Sequence, residues 1–152
     1  MPLFPRLTLQ AAWLAAQDRG IRAFEVYQEC TTEGYEREEI AIIKNANWLP
    51  VYNVTDKNLV TVLQSELDYG ESEAIALALE KSADLIWLDD AEAREKARLY
   101  QLKITGTLGI LLRAKKEDKL QSFSDMIEQL LATGFWVDAA LKRRLFKEAG
   151  EI

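Results

Sequence analysis

The sequence predicts an α/β domain of three layers, α/β/α, in which a mostly parallel sheet of about four or five short strands carries helices on both faces. Three observations predict it. Asp84-Leu85-Ile86-Trp87-Leu88 is a short apolar run that ends in two acids, the pattern of a strand covered on both faces. The segment AEAREKARLY follows, with Ala93, Ala97 and Tyr100 roughly aligned, and then the β-like run Lys103-Ile104-Thr105, so strand, helix and strand form a right-handed crossover. Repeats, low-complexity stretches and linkers are lacking, and a chain of 152 residues can bury roughly 68 to 70% of its extended surface in one core. A single domain over residues 1–152 is expected, with 1–23 fitting the pattern least well.

Taken in order, a helical region through Thr32 leads to a charged turn at Gly34-Tyr35-Glu36-Arg37, a helix through Ile43 and a β-like run from Leu49 to Val54. Thr55-Asp56 can cap the helix NLVTVLQSEL. After Gly70, ESEAIALALEK is dense in helix formers, and its spacing puts Glu71, Ala74, Ile75 and Ala78 on one face and Glu73, Leu77 and Glu80 on another. Beyond the crossover, a Thr-Gly-Thr turn at 105–107 opens a further helix, with Thr107 as its N-cap. Ser124 can cap DMIEQLLATG, with Ile127, Leu130 and Leu131 inward and Gly134 at C′, and Asp138 can start AALKRRLFKEAG, stopped by Gly150. Trp13, Trp48, Trp87 and Trp136 are expected to fill core and interface.

Acids stand at two element ends in this pattern. Glu71 opens a helix, while Asp89 and Asp90 close a strand, where ligands of open α/β sheets bind. Carboxylates placed that way can share a metal ion and act on phosphodiesters. The structural alternative is equally specific: Asp68 with Glu71, and Asp89 with Glu92, both fit a capping box.

The segments LDYGESEAIALALE, ADLIWLDDAEAR and LKITGTLGILLRAKK resemble the PIN-domain superfamily, in particular the bacterial PIN-like proteins of unassigned function related to VapC-type toxin ribonucleases. VYQEC, residues 26–30, resembles the family's first acidic helix, and GFWVDAALKRRLFKEAG its usual ending, so the resemblance runs from about Phe24 to Gly150. It implies a metal-dependent endoribonuclease with a carboxylate cluster binding Mg²⁺ or Mn²⁺. Carried over by motif, Glu29, Glu71 and Asp89 are the catalytic and metal-ligating acids, and Asp90 is a further metal ligand. Thr105, Thr107, Arg113 and Lys116 are implied substrate contacts. RNA is the implied substrate, and an antitoxin protein or a second copy the implied partner.

One departure stands out. The family opens with an apolar strand ending in a central Asp, whereas here PRLTL ends in Leu9 and Gln10 and the first acid is Asp18, inside a helical pattern. Either the segment carrying that acid precedes Met1 or the site is incomplete. The alternatives are therefore an inactive PIN-like protein that binds an antitoxin or itself, or a receiver-like α/β module with Mg²⁺ at Asp89 and Asp90.

Composition sets the remaining bounds. No apolar run of about 18 residues appears and the N-terminus lacks signal-peptide features, so a cytoplasmic protein without membrane association is expected. Cys30 is the one cysteine, which excludes a disulfide framework and zinc spacing. The net charge of −6 opposes broad nucleic-acid binding, which depends on Lys and Arg neutralising phosphates. Local basic clusters at Arg113, Lys115, Lys116 and Lys119, and at Lys142, Arg143 and Arg144, offer RNA contacts or a solvated helix face.

Overall fold

The computed structural model describes residues 22–23, 41, 44–45, 47 and 50–152. Glu29, Asp18, Cys30, Trp13, Trp48 and the turn at 34–37 lie outside the described residues. The described residues fall into two compact units, one ending at Gly106 and the other running from Thr107 to Ile152.

In the first unit the strands are short and parallel. β1 (Arg22–Ala23) pairs with β2 (Val51–Tyr52), Arg22 opposite Val51. β3 (Ile86–Trp87) pairs with β4 (Ile104–Thr105), Ile86 opposite Ile104 and Trp87 opposite Thr105, and α3 (Ala91–Leu99) connects them. The class is α/β, as expected, with four strands of two residues among the described residues. Ala93 and Ala97, both fully buried, bring α3 close to the core formed with Ile86 and Leu88. Leu85, expected inside the strand, is exposed.

Helix α2 (Tyr69–Glu80) is the centre of this unit. Ile75 and Ala78 pack with Leu63, Leu67, Ile86 and Leu88, while Ala76 and Leu77 pack with Val54 and Val60. The expected division into a buried face with Glu71 and a second face with Glu73 is corrected: Glu73 is buried and Glu71 is half-buried. A helix with apolar neighbours on both sides has no solvent stripe, so its spacing gives no single inward face. Each large side chain buried there contributes about 1.5–3 kcal/mol.

Helix α1 (Lys57–Leu63) starts at the N-cap Asp56, whose side chain accepts from the Leu59 amide at 3.0 Å, and it ends earlier than NLVTVLQSEL implied. Glu80, at the far end of α2, accepts from the amides of Thr55 and Asp56 at 2.8 and 2.6 Å. These are the orphan donors that precede a first helical turn. The Asp56 amide holds the Glu80 carboxyl below its ordinary value.

The second unit is helical: α4 (Thr107–Lys116), α5 (Phe123–Ala132) and α6 (Ala139–Glu148). Leu111, Leu112, Phe123, Ile127, Leu130 and Leu145 form its core, and the Phe123 and Phe146 rings meet edge to face at 5.8 Å. The cap of α5 is Ser122, not Ser124: Ser122 Oγ accepts from the Asp125 amide at 3.1 Å. Ser124 instead gives its amide to Glu151. Asp138 caps α6, and Gly134 (φ +91°) and Gly150 (φ +74°) terminate their helices as expected. Thr107 opens α4 rather than preceding it, and of the tryptophans expected to fill core and interface, Trp136 is 80% exposed and so is not in the core.

Candidate carboxylate site

The first acid is set by a helix start. Gly70 and Ser72 are buried, which draws the first turn of α2 inward, and Asp68 caps it: the Glu71 amide donates to Asp68 Oδ1 at 2.8 Å. The Asp68 amide donates back to Glu71 Oε2 at 3.4 Å, which closes a capping box. Burial pushes the Glu71 carboxyl above its ordinary value, and the neighbouring charges of Asp68 and Asp90 push it further, against the opposing effect of the Asp68 amide.

The second group sits where β3 ends. Leu88 is buried, Asp89 half-buried and Asp90 exposed. Asp90, rather than Asp89, is the N-cap of α3, accepting from the Ala93 amide at 2.9 Å. The capping box expected from Asp89 and Glu92 does not form: the helix begins at Ala91, so the cap moves to Asp90 and the N3 position falls on Ala93, whose side chain cannot reach back. Asp89 Oδ2 instead accepts from the Trp87 indole N–H at 3.3 Å. Arg94, one turn into α3, donates from Nη1 to the Leu88 carbonyl at 3.0 Å.

Gly106 closes this corner from β4. A Cβ at that position would lie 2.8 Å from Arg94 Nη1, 2.8 Å from Asp89 Oδ1 and 3.5 Å from the Leu88 carbonyl. Its φ is not in the left-handed region, so glycine is required for room and not for backbone freedom. The Thr105 hydroxyl donates to the Gly106 carbonyl at 3.4 Å, a long bond.

In the second unit, Thr107 is fully buried. Arg113 Nε pairs with Glu117 at 2.8 Å and Lys116 with Glu148 at 3.6 Å, so both basic candidates face an acid of their own unit. Arg113 and Lys119 hold the Glu117 carboxyl down to about 2.

Of the acids expected at the site, Glu71 stands at the start of α2 and feels the charge of Asp90, Asp89 and Asp90 stand after β3, and Glu29 lies outside the described residues. Among the described residues, no group of three or more His, Cys, Asp or Glu side chains is gathered to hold a metal. Sequence reasoning assigned no site role to Asp68, Trp87, Arg94 or Gly106. The glycine between two threonines was the available signal, since a glycine beside a strand end marks a close approach.

A protein-family model described as a PIN domain matches residues 12–151. The chain belongs to the PIN-domain family. No match was found among curated proteins or among solved structures. The fold is thus of nuclease type, in a family that is generally dependent on divalent metal and generally acts on RNA. Membership displaces the receiver-like alternative. No helix among the described residues is long and apolar enough to cross a membrane.

The carboxylate donors Glu71, Asp89 and Asp90 fit a hard divalent cation in kind. Glu71 carries a raised carboxyl because burial and two like charges oppose its ionisation, and a cation relieves that opposition while carboxylate oxygens are its preferred ligands.

Proposed function

We propose that the protein is a divalent-metal-dependent endoribonuclease of toxin-antitoxin type, one cytoplasmic PIN-like domain over residues 1–152, related to VapC-type ribonucleases. Glu71, Asp89 and Asp90, with Glu29, hold Mg²⁺ or Mn²⁺. What supports this reading is the family match together with the Glu71 carboxyl, raised by burial and by the like charges of Asp68 and Asp90.

A bound cation would supply an acidified water and charge neutralisation at the phosphate. A carboxylate of this set not engaged with the cation would take the proton of an attacking water as that water's oxygen bonds to phosphorus and the P–O bond to the ribose oxygen breaks, the leaving oxygen taking a proton from solvent. Thr105 and Thr107 contribute polar groups after β4, and Arg113 and Lys116 contact the RNA backbone once their acid partners yield to phosphate.

A second reading, a PIN-like protein without turnover that binds an antitoxin or a second copy, is favoured by one observation. Asp89 is already engaged by the Trp87 indole and stands beside Arg94. The test is RNA cleavage in Mn²⁺ by the full chain against the double variant Glu71→Gln, Asp89→Asn. Turnover lost in the variant supports the nuclease. Turnover equal in both, with wild-type folding, supports the second reading.

A further inference from the structure

The Asp89 carboxylate at the end of β3 has the Trp87 indole on one oxygen and a narrow gap at the other. The Trp87 indole N–H donates to Oδ2 at 3.3 Å, while a Cβ built on Gly106 would lie 2.8 Å from Oδ1 and 2.8 Å from Arg94 Nη1. Two atoms that each lie that close to one point face a common gap. Arg94 is fixed at its rim by the bond to the Leu88 carbonyl at 3.0 Å, the residue immediately before Asp89. Leu88 is itself buried, and its amide donates to the Thr105 carbonyl at 2.9 Å, so Arg94 is anchored to paired backbone of the sheet.

We propose that Trp87, by its hydrogen bond, and Arg94, as the anchored wall across the gap, are positioning residues that set the orientation of the Asp89 carboxylate, and that Gly106 is glycine to leave that gap open. This rests on the reading of Asp89 as a metal-ligating acid. Ligating carboxylates need hydrogen-bonded neighbours to hold them in one rotamer, and losing such a neighbour costs about 10- to 100-fold in metal affinity. Arginine suits the role because its planar fork keeps a fixed geometry and a permanent charge.

Charge and orientation predict opposite outcomes, which makes the role testable. Removing a cation beside an acid strengthens binding of a second cation if charge alone matters. If orientation matters, binding weakens despite the lost repulsion. Gly106→Ala is the complementary variant: it changes no charge, its backbone conformation suits alanine, and the atoms its methyl would meet first are side-chain ends that can move aside. The fold survives that movement, while the Asp89 carboxylate is displaced by it.

The experiment measures Mn²⁺ affinity by calorimetry, melting temperature, and the metal-free Trp87 indole N–H resonance in wild type, Gly106→Ala, Arg94→Gln and Asp89→Asn, with Trp87→Phe assigning the resonance. The expected result is Mn²⁺ affinity weakened about 10-fold in both Gly106→Ala and Arg94→Gln, with melting nearly unchanged, the Trp87 resonance moved and the Trp136 resonance in place. Unchanged indole resonance and affinity in these two variants, with affinity lost in Asp89→Asn, overturns the positioning role alone. Stronger binding in Arg94→Gln overturns it as well. Unchanged affinity in Asp89→Asn overturns the metal-site reading instead, and the indole resonance then decides by itself whether Arg94 and Gly106 orient Asp89.

Discussion

Asp68 and Glu71 hold each other across the first turn of α2 through unequal bonds: the Glu71 amide lies 2.8 Å from Asp68 Oδ1, whereas the Asp68 amide lies 3.4 Å from Glu71 Oε2. The short arm caps the helix. The long arm leaves the Glu71 carboxylate loosely tied, half-buried and crowded by Asp68 and Asp90.

From this follows a stability prediction with a definite sign. The Glu71 carboxyl is raised above 4.5 in the folded chain. Between that ordinary value and the raised one, the folded state holds a proton that the unfolded state has released, so stability falls as pH rises through the interval. Above it, the ionised carboxylate opposes folding. Glu71→Gln keeps an acceptor for the Asp68 amide and removes the charge, so it should melt at or above the wild-type temperature at pH 7 and flatten the pH dependence above 4.5. Thermal melts from pH 4 upward check this, and a loss of about 1 kcal/mol at pH 7 would mark Glu71 as a cap and nothing more.

The second unit carries the opposite case. Glu151 accepts from the amides of Phe123 and Ser124 at 2.6 and 2.7 Å and pairs with Lys115 at 3.2 Å. Burial raises its carboxyl, but these donors outweigh burial and hold it at about 2. The stability it contributes is present above 4.5 and is lost as pH falls toward about 2. Glu151→Gln should cost about 1–3 kcal/mol at pH 7, the range for hydrogen bonds to a charged group. Denaturant melts at pH 7 and pH 3 should show the gap between wild type and variant narrowing with acid.

Among the described residues, three helix ends use left-handed residues that are not glycine: Ser82 (φ 49°), Gln101 (φ 61°) and Asp118 (φ 56°). Each is followed by an amide that reaches back to close the helix, from Ala83 to the Ala78 carbonyl, Leu102 to Ala97 and Lys119 to Ala114. Side-chain crowding in that conformation costs roughly 1–2 kcal/mol, and the unfolded-state entropy of glycine returns about 0.4–1 kcal/mol of it. Gln101→Gly, at an exposed position, should therefore raise stability by about 0.5–1 kcal/mol. A lower denaturation midpoint in Gln101→Gly would contradict the left-handed assignment.

Much of the fold was legible because local signals agreed. The crossover β3–α3–β4 follows from an apolar run, an alanine-spaced helix and a β-branched pair, and the caps Asp56, Asp68 and Asp138 follow from acids before helix formers. Where the reading slipped, a tertiary partner had decided. Ser124 lost the cap to Ser122 as its amide is taken by Glu151, 27 residues away. Glu73 is inside because α2 has neighbours on two sides. At the site, the acids were visible as types, but Arg94 and Gly106 gain meaning only when β3 and β4 lie side by side.

The cation itself gives the last prediction. Glu29, Glu71, Asp89 and Asp90, with no acid found at the family's first-strand position in this sequence, should hold a hydrated ion weakly, with a dissociation constant of about 1 mM, the weak end of carboxylate sites. At about 10 mM Mg²⁺ or Mn²⁺, selective binding to the folded state then stabilises by about 1.4 kcal/mol. Melting temperature should rise by a few degrees with metal, fall back with a chelator, and show no metal dependence in the Glu71→Gln, Asp89→Asn double variant. RNA cleavage should be slow even at saturating Mn²⁺, because loosely held metal leaves the attacking water poorly aligned. Rapid cleavage that vanishes in the double variant would show that another acid, such as Asp18, completes the cluster, and an Asp18→Asn variant would then lose both cleavage and the metal-dependent rise in melting temperature.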